Sequence, residues 1–136
     1  MGYIKLHKNG VCKFARYNVK DIKEKSLKLL DITLPDKYIL FIGRLSYVKN
    51  LFLLLDAFER GKLDDNYLVI VGDGEMKDVL IEKTKKMNKV DKIMFLGEIE
   101  NPLPILKRSQ LLVLPSFSEA YPTILLEALC LYIPVL

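Results

Sequence analysis

The strongest constraint on this chain is a repeating beat of short apolar runs, most closed by glycine and each followed by a stretch of helical character. The runs are YILFIG (38–43), YLVIVG (67–72), KIMFLG (92–97) and LLVLPS (111–116). After the first, Leu51, Leu54, Leu55 and Phe58 recur at spacings of three and four, one face of a helix. EMKDVLIEKTKKM (75–87) predicts a second helix, a short piece around 103–109 a third, and TILLEALCLY (123–132) a fourth, with Pro122 near its first turn. Residues 133–136 begin a fifth strand. Strands that are apolar throughout and alternate with helices predict an α/β, Rossmann-like fold, a parallel sheet with helices on both faces. Residues 1–37 are less regular: a lead-in segment or linker, with a helix over 21–31 and a strand or linker over 3–19.

Length and composition bound the function. At 136 residues the chain is one domain's worth. The longest apolar run, Ala128 to Val135, is broken by Pro134 and falls well short of the about 20 residues of a membrane helix. The first ten residues hold no apolar segment of signal-peptide length, so the expected location is the cytoplasm, at most the inner face of a membrane. One histidine, His7, and two distant cysteines, Cys12 and Cys130, leave a transition metal almost no ligands, and no metal is expected. The net charge of +4 comes mainly from lysines scattered along the chain, which describes a solvated surface and not a nucleic-acid footprint.

In parallel α/β sheets ligands bind beyond the carboxyl ends of the strands, here the loops 43–50, 72–75, 97–102 and 115–122. In the first loop Gly43 ends the strand, Arg44 stands at the ligand edge, and Lys49 sits at the start of the next helix. Two cations converging there would suit a diphosphate, Arg by forked hydrogen bonds and Lys as a point charge. Two surface residues explain the spacing equally well. The second loop, Gly72-Asp73-Gly74-Glu75, lacks the third glycine of a dinucleotide fingerprint, since position 77 is lysine. A tight strand-to-helix turn, with Asp73 as a helix cap, fits it better.

The fourth loop and its helix hold Glu119 and Glu127, with seven residues between them. In a continuous helix they would stand about 12 Å apart along the axis. The carboxylates of glycoside hydrolases lie about 5–9.5 Å apart, so this spacing disfavours a hydrolase pair. It suits two separate parts of one long ligand, and the helix beginning near Pro122 offers free N–H groups for phosphate. Taken alone, each glutamate is more often a surface charge.

ILFIGRLSYVKN, LVIVGDGE, IMFLGEI, LLVLPS and SEAYPTILLEAL, in that order and ending at IPV, resemble the C-terminal domain of the retaining glycosyltransferases of family 4, the glycosyl transferases group 1, which have the two-domain GT-B fold. The resemblance covers residues 38–136, and Asn9-Gly10-Val11 resembles the segment that leads into this domain. It implies a Rossmann-like nucleotide-sugar-binding domain, one half of GT-B. It implies that Arg44 and Lys49 bind the donor diphosphate, Glu119 the sugar hydroxyls as the catalytic candidate, and Glu127 the ribose. Gly43, Tyr121, Pro122, Thr123 and Ile124 would make backbone contacts, and the loop at Gly97 would face the base. The nucleotide-sugar is a substrate, a UDP-sugar by resemblance, and no cofactor or metal is implied.

Two positions depart from the family pattern: Ala120 and Tyr132 stand where glycine is usual. The family's N-terminal, acceptor-binding domain is absent from the match, and the strand at 133–136 comes without what normally follows it. The chain is therefore expected to be an incomplete donor half that works with a missing domain or associates with itself. A non-catalytic subunit of a two-chain transferase is the alternative, and an epimerase of similar architecture a more distant third. Polysaccharide or lipopolysaccharide assembly, with peripheral membrane contact, is the expected setting.

Overall fold

The computed structural model describes residues 18–28, 30–118 and 123–136. His7, Asn9-Gly10-Val11, Cys12, most of the 3–19 segment, Glu119, Ala120, Tyr121 and Pro122 lie outside them. The elements run α1 (Val19–Ser26), β1 (Tyr38–Ile42), α2 (Leu51–Arg60), β2 (Tyr67–Val71), α3 (Lys77–Thr84), β3 (Ile93–Gly97), α4 (Leu103–Arg108), β4 (Leu111–Leu112) and α5 (Thr123–Cys130), with 3-10 turns at Tyr47–Lys49 and Val90–Lys92. The strands form one parallel sheet in the order β3-β2-β1-β4. Val135 bridges in parallel to Leu112, adding the start of a fifth strand beside β4.

Side chains of a strand alternate between faces, and here they sort into two cores. Leu40, Val69 and Val71 join Ile22, Leu106, Ile124 and Ala128 on the side of α1, α4 and α5. Ile39, Phe41, Leu68 and Ile70 join Leu51, Leu54, Leu55, Phe58 and Leu80 on the side of α2 and α3. Continuously apolar strands are thus the signature of a sheet buried on both faces. Tyr38 ties the sheet to α4: its hydroxyl donates to the carbonyl of Ile105 at 2.5 Å. Burial pushes that hydroxyl up to about 12, with Arg108 pulling weakly the other way.

Three elements differ from the sequence expectation. The regular ladder of β4 covers Leu111–Leu112, not 111–116, although Val113 N still donates to Leu40 and Leu114 N to Leu136. Pro115, with no N–H, stops the pairing there. The helix expected over 21–31 lies at Val19–Ser26, where the Asn18 side chain accepts from Lys20 N at 2.9 Å. The helix expected over 75–87 is α3, Lys77–Thr84, and Asp73 does not cap it: Met76 occupies the cap position without a side-chain bond. Asp73 instead accepts from the next backbone N–H, Gly74, at 2.8 Å and from Lys77 Nζ at 3.3 Å.

Candidate functional site

The carboxyl ends of β1 and β2 are locked together. Leu45 N donates to Asp73 O, and Met76 N donates to Leu45 O, both at 2.9 Å. A Cβ on Gly72 would lie 1.8 Å from the Gly43 carbonyl oxygen, and one on Gly74 would lie 2.5 Å from that of Leu45. The glycines of the 72–75 loop are therefore there so that its backbone can press against the 43–45 backbone. Leu45, between them, is fully buried.

Two adjoining cavities open at this edge, and both are lined by Ile42, Gly43 and Ile99. The larger, about 510 Å³, brings together Gly43, Lys49, Thr123, Ile124 and Glu127, with Glu100 and Pro102 from the loop after β3. The smaller, about 250 Å³, takes Arg44 with Asp73 and Glu98. The two cations thus stand on either side of Gly43 rather than side by side. Lys49 ends the 3-10 turn that precedes α2. Its Cε lies 4.0 Å from where a Cβ on Gly43 would be, so its stem lies along the bare glycine. Gly97 closes β3 and does not line either cavity, whereas Glu98, Ile99 and Glu100 after it do.

Arg44 is exposed, and its Nη2 donates to Glu75 Oε2 at 3.0 Å. The Asp73 carboxyl is lowered from its ordinary value, chiefly because the Gly74 N–H bonds to it, with Lys77 and then Arg44 adding to the effect. Glu127 is half-buried on α5. Burial raises its carboxyl above the ordinary value, and Lys25 on α1 partly opposes this. Thr123 and Ile124 begin α5, so the cleft meets the positive end of that helix. A cation, a helix start and a desolvated carboxylate in one cleft can bind an anion at one end and hydroxyl groups at the other.

Sequence reasoning missed Glu75 and Glu100. A charged residue in the first turn after a glycine loop signals a helix start as readily as a ligand edge. The pairing of Glu75 with Arg44 spans 31 positions, which periodicity cannot register.

Among the described residues no helix is long and apolar enough to cross a membrane, and no cluster of three or more metal-type side chains occurs.

The profile of the family "Glycosyl transferases group 1" matches residues 22–136. Over 114 residues the chain is 38% identical to the N-acetylgalactosamine-N,N'-diacetylbacillosaminyl-diphospho-undecaprenol 4-alpha-N-acetylgalactosaminyltransferase of Campylobacter jejuni, covering 83% of this chain and 31% of that protein. It is 37% identical over 129 residues to the UDP-Gal:alpha-D-GlcNAc-diphosphoundecaprenol alpha-1,3-galactosyltransferase of Escherichia coli, covering 88% and 32%. The chain thus spans about a third of the length of these relatives. Among solved structures, Anabaena Alr3699/HepE in complex with UDP-glucose superposes with a TM-score of 0.67 at 22% identity, over 74% of this chain and 29% of that one.

Proposed function

This chain belongs to the glycosyl transferases group 1, and on that premise we propose that its larger cleft binds the diphosphate and ribose of a nucleotide-sugar donor. Transfer would go, with retention of configuration, to a carbohydrate or lipid-linked acceptor. The observation that carries this reading is that Lys49, the start of α5 and Glu127 line one cleft beyond the carboxyl ends of the strands. The fold is the Rossmann-like half of GT-B, as in the structural neighbours. Residues 38–136 form the donor domain in this reading, and residues 1–37 lead into it.

Lys49 and the α5 N–H groups take the diphosphate, with Arg44 joining from the adjoining cavity. Glu127 accepts from the ribose hydroxyls, and the 97–102 loop faces the base. Glu119, outside the described residues, is assigned to the sugar by family pattern. Negative charge grows on the leaving diphosphate during transfer, and fixed cations and helix dipoles stabilise it without reorganising and without a metal. UDP is the expected carrier, supported by the E. coli relative named for UDP-Gal and the neighbour holding UDP-glucose. The two undecaprenol-linked relatives support a lipid-linked acceptor at a membrane face.

The acceptor side is expected from a separate domain, because the match covers only about a third of each relative. The chain alone should therefore bind the donor and not transfer the sugar, since catalysis needs both partners held in reacting geometry. Calorimetry of the chain with UDP, uridine and a UDP-sugar tests the first half, and a transfer assay tests the second. Absence of UDP binding at millimolar concentration would refute the site, and sustained turnover by the chain alone would refute the division of labour. The same assay with an acceptor-binding partner added separates a donor half, which regains turnover, from a binding subunit that only raises a partner's own activity.

A further inference from the structure

Arg44, a proposed diphosphate ligand, has its side chain engaged by a carboxylate of the neighbouring loop. Its Nη2 donates to Glu75 Oε2 at 3.0 Å, and the two side chains are 69% and 56% exposed. The loops that carry them cannot drift apart, because Leu45 N and Met76 N bond across at 2.9 Å and Gly72 and Gly74 lie against the opposing carbonyls. The two backbones are thus held together with Glu75 within reach of the guanidinium, and Arg44 itself lies at the wall of the smaller cavity, next to Gly43, which lines both cavities.

We propose that Glu75 is a positioning residue that occupies Arg44 while the donor site is empty and yields it to the diphosphate, an inference that rests on the reading of Arg44 as a diphosphate ligand. A carboxylate and a phosphate offer the guanidinium fork the same kind of paired oxygens. Exposed carboxylate–guanidinium pairs are among the weakest charged contacts in proteins. A diphosphate carries more charge and is met at the same time by Lys49 and the start of α5. The exchange therefore runs toward the donor, while Glu75 competes with it for Arg44. After transfer the same carboxylate recaptures Arg44 as the nucleoside diphosphate leaves. Glu75 thus lowers affinity for the diphosphate and speeds its release, and does so through Arg44.

The test is calorimetry and stopped-flow dissociation on the full chain with UDP and with uridine, using Glu75→Gln, Arg44→Ala and the double variant, with Glu75→Ser as a second replacement. Glu75→Gln should tighten UDP about two- to fivefold, mainly by slower dissociation, and leave uridine unchanged. In the Arg44→Ala background the same substitution should change nothing. Unchanged or weakened UDP binding in both Glu75 variants overturns the proposal. So does equal tightening with and without Arg44, which would make Glu75 a general repulsive charge. Arg44→Ala alone judges the underlying reading: if it leaves UDP affinity intact, both fail. If it costs UDP and spares uridine while Glu75→Gln is silent, only the role of Glu75 fails.

Discussion

Gly72 and Gly43 touch backbone to backbone: a single methyl group placed on Gly72 would lie 1.8 Å from the Gly43 carbonyl oxygen. Gly72 also has φ of 136°, a conformation that side chains disfavour. Gly72→Ala should therefore cost about 2–5 kcal/mol, strain and overpacking together. Urea denaturation measures it, and a loss below about 1 kcal/mol would mean that the two loops separate easily.

Arg44→Ala and Lys49→Ala should each weaken UDP about tenfold or more, since hydrogen bonds to charged groups contribute about 1.5–3 kcal/mol. Uridine, which has no phosphate, should bind as before. Equal losses for UDP and uridine in calorimetry would remove both residues from the phosphate site.

Glu127→Gln should weaken UDP binding and at the same time stabilise the empty protein at neutral pH. Burial raises the carboxyl above its ordinary value. A raised carboxyl holds its proton more tightly folded than unfolded. Its stabilising contribution is therefore complete below the unfolded value of 4.5 and is lost as pH rises through the folded value. Thermal melts at pH 7 and pH 4 read the sign: the variant's advantage should appear at pH 7 and vanish at pH 4. A variant less stable than the parent at pH 7 would show that the carboxylate is satisfied where it sits.

Tyr132 takes the position after α5 that is normally glycine's, with φ of 58°. Ile133 N donates to Ala128 O at 2.9 Å and Tyr132 N to Leu129 O at 3.2 Å, so the helix-ending turn forms in spite of the bulky residue. Its ring is 84% exposed and lies under Lys23 Nζ at 5.5 Å. Tyr132→Gly and Tyr132→Ala both lose that contact and differ mainly in the left-handed backbone. The glycine variant should be more stable by about 0.5–1 kcal/mol, the reverse of their order within a helix. Equal stability would mean that the turn relaxes when the ring is removed.

The alternation of apolar strands and helices was legible because a sheet buried on both faces leaves no polar positions to confuse the pattern, as Leu68 to Val71 show. Strand ends fixed where the loops gather, but it was the family resemblance that assigned Lys49, Thr123, Ile124 and Glu127 to one ligand, and these residues line one cleft. What escaped were relations between loops. Asp73 looked like a helix cap, and its true partners, the Gly74 N–H and Lys77, follow from a turn geometry that sequence does not encode locally. The counter-charge for Glu127 comes from α1, about a hundred residues away in the chain, and nothing in either segment announces the other.

The position of α1 has a practical consequence for anyone recombining transferase halves. This short helix packs on α4 and α5 and buries Ile22 in the same core as β1. Its Lys25 carbonyl accepts from Asn101 Nδ2 at 3.1 Å, anchoring the loop assigned to the base, while its ammonium, paired with Asp21 at 2.9 Å, still exerts a favourable charge on the carboxyl assigned to the ribose. A chimaera joined at the first strand, the obvious seam in the sequence, would discard that brace and inherit a donor pocket with a loose lip and a harder-to-ionise glutamate. The seam belongs upstream of Asn18, where the grafted part carries its own scaffolding with it.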